Sequence, residues 1–307
     1  MKKIKTATNI RIIFILIMVC TMLAFLTSCR HILDIEDTHN ISGEELFNVS
    51  AEELLLYRER AERDDIEAQF MIAVIYLQNR NYEQAIYWYE RAAELGDVAS
   101  QLRLGYLHYR GYGIEQNHEQ ALYWFRQAAE QNDPAAQHNL GWMYYFGYGT
   151  AQSFEQAAYW YRKAAEQGHR YAQHNMGWLY HHGTGVGQSY AQAAYWYRRA
   201  ADQSHVLAKR RLGVLYYSGS GVIQSYEQTL YWSRKAAEQG DSYAQNNMGW
   251  LYHHGSGVEQ SYAQAAYWYG QAIAQGNELA RANLALLPAQ YRVLSFINTL
   301  FFRRADE

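Results

Sequence analysis

The chain has 307 residues, with 27 basic and 30 acidic side chains and a formal net charge of −3 when its 12 histidines are neutral. That balance argues against a nucleic-acid partner, which would demand a basic stripe. With only two cysteines, a disulfide framework is excluded as well, and stability has to come from packing its 29 tyrosines, 10 phenylalanines and 9 tryptophans.

The first predicted element is a targeting segment. Lys2, Lys3, Lys5 and Arg11 precede the apolar run Ile12–Leu26. That run is short of the ~20 residues a membrane helix needs. A basic start with a short apolar run reads instead as a secretory signal. It ends in Leu26-Thr27-Ser28-Cys29. This resembles a bacterial lipobox, which implies cleavage after Ser28 and a lipid on Cys29. The protein is then exported and held on a bacterial membrane. Arg30 follows rather than an aspartate, which favours the outer membrane where two membranes exist. An ordinary signal peptide, or an uncleaved anchor with an incidental cysteine, is the alternative. Loss of residues 1–28 removes four basic and no acidic residues, so the formal charge moves from −3 to −7. Residues 29–49 carry the lipid anchor and then a polar, unpatterned tether, long enough to span roughly 25 Å. Residues 50–65 read as an N-terminal capping helix, opened by Ser50 and Glu53 and carrying Leu54-Leu55-Leu56-Tyr57.

A strict repeat follows. Trp88, Trp124, Trp160, Trp196, Trp232 and Trp268 stand 36 residues apart. A fixed period of this length marks a stacked repeat array. Glycines at 105, 111 and 113 recur at the same interval through Gly249, Gly255 and Gly257. Six units span 66–277, and Gln69 to Gln101 is 32 residues where Gln101 to Gln137 is 36, so the first unit has a shorter connection. Each unit predicts two helices. In 134–169 the first runs Ala135–Phe146, with Ala136, Leu140 and Met143 on one face. It stops at Gly147 and Gly149, where glycine takes the left-handed conformation freely. The second opens with Ser153 and Gln156 as a capping box and carries Ala157, Trp160, Tyr161 and Ala164 on its core face. It ends at Gly168, for which Asn132 and Ser204 substitute elsewhere. Trp160 and Trp196 are expected to fill the centres of their repeats. Residues 278–307 read as C-terminal capping helices: Glu278–Leu287 repeats a first helix, and Tyr291, Leu294, Ile297 and Phe301 form a last apolar stripe, for packing or for membrane contact.

The pattern A-x-x-x-[LM]-G-x-[LM]-Y-x-x-G-x-G, then A-x-x-W-Y-x-x-A-A-x-x-G, resembles the Sel1-like repeat, a relative of the tetratricopeptide repeat. The resemblance covers about 68–287. It implies an all-α fold, a right-handed α/α solenoid of helix-turn-helix repeats whose first helices line a concave surface. Members of the family commonly serve as adaptors or ligand-binding proteins. One branch has a disulfide in every repeat and a penicillin-binding or β-lactamase-like description; this chain has no cysteine in any repeat.

Motifs for chemistry fail one by one. Gly183-Thr184-Gly185-Val186-Gly187 follows a helix rather than a strand, and no phosphate-loop lysine accompanies it. His118-Glu119 begins a zinc-protease pattern that Leu122 breaks. The capping serines recur once per unit, whereas a catalytic serine would be unique. His181-His182 and His253-His254 project about 100° apart on a helix, poorly placed to share one metal. No catalytic residue, metal or cofactor is assigned. A binding face is: His138, Trp142 and Tyr145 lie on one side of a first helix, opposite Ala136, Leu140 and Met143. Equivalent positions hold Tyr106 and Tyr109; His174, Trp178 and His181; Arg210 and Tyr217 with Val214 between; and Asn246, Trp250 and His253. Aromatic rings among polar neighbours have the composition of binding hot spots. The alternative is that these tryptophans wedge against the next repeat. The expected function is a non-catalytic scaffold that binds a protein or peptide and touches the membrane only through its lipid. A member that binds or hydrolyses a cell-wall glycan or β-lactam is the second reading, and a structural assembly or secretion scaffold the third.

Overall fold

A computed structural model describes residues 51–292, and everything structural below concerns these. Fourteen helices follow one another: α1 Ala51–Ala61, α2 Ile66–Gln78, α3 Tyr82–Glu94, α4 Val98–Arg110, α5 His118–Glu130, α6 Pro134–Phe146, α7 Phe154–Glu166, α8 Arg170–His182, α9 Tyr190–Asp202, α10 Val206–Ser218, α11 Tyr226–Ala237, α12 Ser242–His254, α13 Tyr262–Ala274 and α14 Glu278–Leu284. From α2 onward they pair as first and second helices of stacked units, each packing on its neighbours in the chain. Among the described residues no helix is long and apolar enough to cross a membrane. The expected lipobox around Cys29 and the stripe residues Leu294, Ile297 and Phe301 lie outside the described residues.

The sequence dictates each helix end. Ser153 Oγ accepts the Gln156 amide at 3.2 Å, satisfying a first-turn donor that the helix itself leaves orphaned. The turn between the helices needs both of its glycines. Gly147 is a left-handed C-cap with φ 72°. Gly149 has φ 67°, and a Cβ there would meet the His118 carbonyl oxygen at 2.3 Å. Its turn thus lies directly against the start of the preceding unit's second helix. The first unit has no such helix before it, only α1, and its connection is residues 79–81 in place of 111–117 in the second unit. Gln152 Nε2 donates to the Tyr145 carbonyl at 2.8 Å and fastens the loop to the first helix.

The tryptophans do not sit where the sequence places them. In five of the six units the ring that follows the tryptophan occupies the centre: Tyr89, Phe125, Tyr161, Tyr197 and Tyr269 are all 2 % exposed or less. In four units this ring lies over a glycine of the first helix; a Cβ on Gly177 would meet Tyr197 at 2.6 Å. The tryptophan closes the seam between units. Trp196 of α9 joins a core formed by Ala157, Tyr161, Ala164 and Ala165 of α7 with Met176 and Leu179 of α8. Trp232 closes the next seam in the same way, against Ala200 and Ala201 of α9 and Leu212 and Leu215 of α10. Trp160 itself is only half-buried. The expectation that Trp160 and Trp196 fill repeat centres is therefore corrected. Helical period puts a residue on the core side, but it does not say which of two cores, within or between units, that side meets.

A ladder of glutamines runs through the stack. Gln173 Nε2 donates to the Ala165 carbonyl at 3.1 Å, and its Oε1 accepts from Gln203 Nε2 at 2.8 Å. Gln101, Gln137 and Gln245 repeat the arrangement. At the ends, α1 buries Ala61 against α2 and α3 while Leu55 and Leu56 stay exposed. The expected first helix Glu278–Leu287 stops at Leu284, and Leu284 and Leu287 pack on α13.

Candidate binding face on the first helices

The face predicted to bind is formed by three positions on each first helix. The structure gives them different roles. At the leading position His138, His174 and Asn246 are buried, and Arg210 is half-buried in an ion pair with Asp241 at 3.1 Å. His138 stacks on His169 with ring centroids 4.7 Å apart, and His174 stacks on His205 at 4.5 Å. Each of these pairs links a first helix to the N-cap of the first helix that follows. Burial pushes the His138 and His174 imidazoles well below their ordinary range, so both are neutral at pH 7.

The middle and trailing positions form an aromatic ladder across units. Trp142 Nε1 donates to the Tyr109 hydroxyl at 3.3 Å. The ring of Tyr145 meets Trp178 edge-on at 5.8 Å, and Tyr217 meets Trp250 at 5.2 Å. Tyr106 packs on Phe125 of its own unit, and its hydroxyl accepts from Asn139 of the next at 2.7 Å. Between His181 and Trp250 the ladder is broken by Val214, which is 42 % exposed.

Burial divides the predicted site. Trp142 is 5 % exposed and Tyr109 9 %, so neither offers a ring face to a ligand. With His138, His174 and Asn246 they belong to the packing between units, and their assignment to an open groove is corrected. The cause is the neighbouring unit, whose side chains cover them and whose position is invisible in the periodicity of one helix. Tyr106, Tyr145, Trp178, His181, Arg210, Trp250 and His253 remain half-buried, and Tyr217 is exposed.

Two histidines outside the prediction belong to this face. His182 stacks on Trp178 at 4.2 Å and donates from Nδ1 to the Trp178 carbonyl at 2.9 Å. His254 stacks on Trp250 at 4.2 Å and donates to its carbonyl at 3.0 Å. The signal for both is a tryptophan and a histidine at i and i+4. Burial lowers His181 to about 4 and lowers His182 and His253 as well. The face is therefore aromatic and nearly uncharged at neutral pH. Among the described residues no cluster of histidine, cysteine and acidic side chains could hold a metal ion.

The opposite layer presents a second aromatic row. Tyr123, Tyr159, Tyr195 and Tyr231 are each 49–50 % exposed, and each stands edge-on to the tryptophan that follows it. Their signal is the same 36-residue spacing, one position before the tryptophan.

Paired helices whose cores lie at the seams define an α-solenoid of two-helix repeats. The chain belongs to the Sel1 repeat family: the family model described as Sel1 repeat matches residues 66–97, 98–133, 134–169, 170–205, 206–241 and 242–277. It is similar to a solved protective antigen present in uropathogenic Escherichia coli strains, with 34% identity and a TM-score of 0.74 over 81% of this chain. The chain spans 55% of the length of that antigen. A solved Sel1 repeat protein from Oxalobacter formigenes is 35% identical, with a TM-score of 0.65, over 68% of this chain and 86% of its own. No curated protein matches the chain.

Proposed function

We propose that the chain is a non-catalytic scaffold that binds an extended protein or peptide segment along the face of its first helices. The observation that carries this reading is two pairs of partly open rings, Tyr145 with Trp178 and Tyr217 with Trp250, each edge-on across successive units. Histidines stacked on Trp178 and Trp250 add polar atoms beside the rings, which suits backbone amides and carbonyls. Such a ligand would be held by a few aromatic anchors, as interfaces generally are. A glycan-binding surface is the second reading, favoured by the exposed tyrosine row on the second helices.

One titration separates the two. A partner captured with the purified protein is titrated against Trp178→Ala/Trp250→Ala and against Tyr123→Ala/Tyr159→Ala/Tyr195→Ala, with helicity checked by circular dichroism. The first variant is expected to weaken binding by ~1–3 kcal/mol for each anchor, and the second to leave it unchanged. Wild-type binding by a folded first variant would sink the proposal. Loss confined to the second variant moves the site to the tyrosine row.

Export and lipid anchoring through Cys29 belong to the same proposal. They are supported by the basic start, the short apolar run Ile12–Leu26 and Leu26-Thr27-Ser28-Cys29. Radiolabelled palmitate is expected on the wild-type protein and not on Cys29→Ser; label that persists on the variant rules the anchor out.

A further inference from the structure

The N-caps of the first helices are not chemically alike. Asp97, Asp133 and Asp241 cap α4, α6 and α12, and their carboxylates accept the amides of Ser100, Ala136 and Ala244 at 2.6, 2.7 and 2.7 Å. The same place before α8 and α10 is held by histidine. His169 Nδ1 accepts the Ala172 amide and His205 Nδ1 the Ala208 amide, both at 3.3 Å. An imidazole nitrogen can accept only while it carries no proton. Protonation of either histidine therefore removes the cap and puts a positive charge at the positive end of a helix.

These caps are parts of a larger array. His169 stacks on His138 and His205 on His174. Asn175 joins the two pairs: its Nδ2 donates to His138 Nε2 at 3.2 Å and its Oδ1 accepts from His174 Nδ1 at 3.3 Å. His138 is thus committed as an acceptor and also loses its bond on protonation. The array spans two units, reaching from α6 to the cap of α10, and is surrounded by rings and cations. Tyr161 and Tyr171 lie against His138, Tyr197 against His174, and Tyr171 against His205. Arg170 and Lys209 act on His205, and Arg210 and Arg211 on His174; Arg210 is itself paired with Asp241.

We propose that this histidine array makes the centre of the solenoid acid-labile: proton uptake uncaps α8 and α10 and loosens the two seams they form, while α2, capped by Asp65 and free of histidine, holds. The inference does not depend on the binding face having a ligand. Its direction follows from the neutral folded state. Above the unfolded value near 6.5 neither state takes up a proton and stability is unaffected. Below it the unfolded chain binds more protons than the folded one, so stability falls with pH, and for His205 the fall continues to about 3.

Hydrogen exchange on the full chain between pH 7.5 and 5.5, corrected for intrinsic exchange rates, tests this. Opening of α8 and α10 is expected to change little down to about pH 6.5 and then to rise by up to about tenfold per pH unit for each proton taken up. Opening of α2, where Asp65 accepts the Ala68 amide at 3.0 Å and no histidine is present, is expected to stay near its neutral-pH level. In His169→Asp/His205→Asp the acid response of the two central helices should be smaller, with His138 and His174 keeping part of it. A parallel response of α2 in the wild type overturns the proposal, as does an unchanged acid response in the folded variant. If the variant does not fold, the comparison of helices within the wild-type chain still decides.

Discussion

The fourth unit, residues 170–205, and the fifth, residues 206–241, have the same backbone and different interiors. Both keep the glycine on the first helix, the glycine pair in the turn, and the serine cap. Around that frame Tyr197 becomes Ser233, Trp178 becomes Val214, Gln173 becomes Lys209, and the stacked pair His174 and His205 becomes the ion pair of Arg210 and Asp241. Lys209 even holds its rung of the ladder, donating from Nζ to Gln239 Oε1 at 2.7 Å. The frame residues answer to backbone geometry, which admits few side chains. The fill answers only to volume and to satisfied polar groups, which several residue sets can meet.

That contrast can be broken by substituting the two units in parallel and comparing urea midpoints. The largest difference is expected at the ring. Tyr197 is 0 % exposed, so Tyr197→Ala should cost ~3–5 kcal/mol, whereas Ser233→Ala in the fifth unit should cost below about 1 kcal/mol. Equal losses would show that the fifth unit's interior is as demanding as the fourth's. A smaller and sharper difference is expected at the glycines. A Cβ on Gly177 would meet the Tyr197 ring at 2.6 Å, and Gly177→Ala should cost ~1–3 kcal/mol. On Gly213 the nearest atom is Ser233 Oγ at 3.0 Å, a group that can rotate away. Gly213→Ala should therefore be neutral, or stabilising by up to ~1 kcal/mol through helix propensity. A loss at Gly213 as large as at Gly177 would mean that the backbone, not the ring, demands glycine.

The frame was legible in the sequence and the fill was not. The 36-residue period, the turn at Gly147 and Gly149, the cap at Ser153 and the left-handed substitutes Asn132 and Ser204 all follow from local rules, and the last two have φ of 71° and 66°. Trp142 was misplaced because its cover comes from the adjacent unit, 33 residues back at Tyr109. The caps at His169 and His205 were missed because histidine is not an expected cap. Only alignment of the units, which sets them beside Asp133 and Asp241, reveals them.

The seams have one more consequence. Because each core is shared between the end of one unit and the start of the next, a row of such units always finishes in two incomplete halves. Here α1 covers one with Ala61, and Leu284 and Leu287 help cover the other. A variant stripped of those few side chains is expected to expose two raw ends with complementary surfaces, the condition for head-to-tail association.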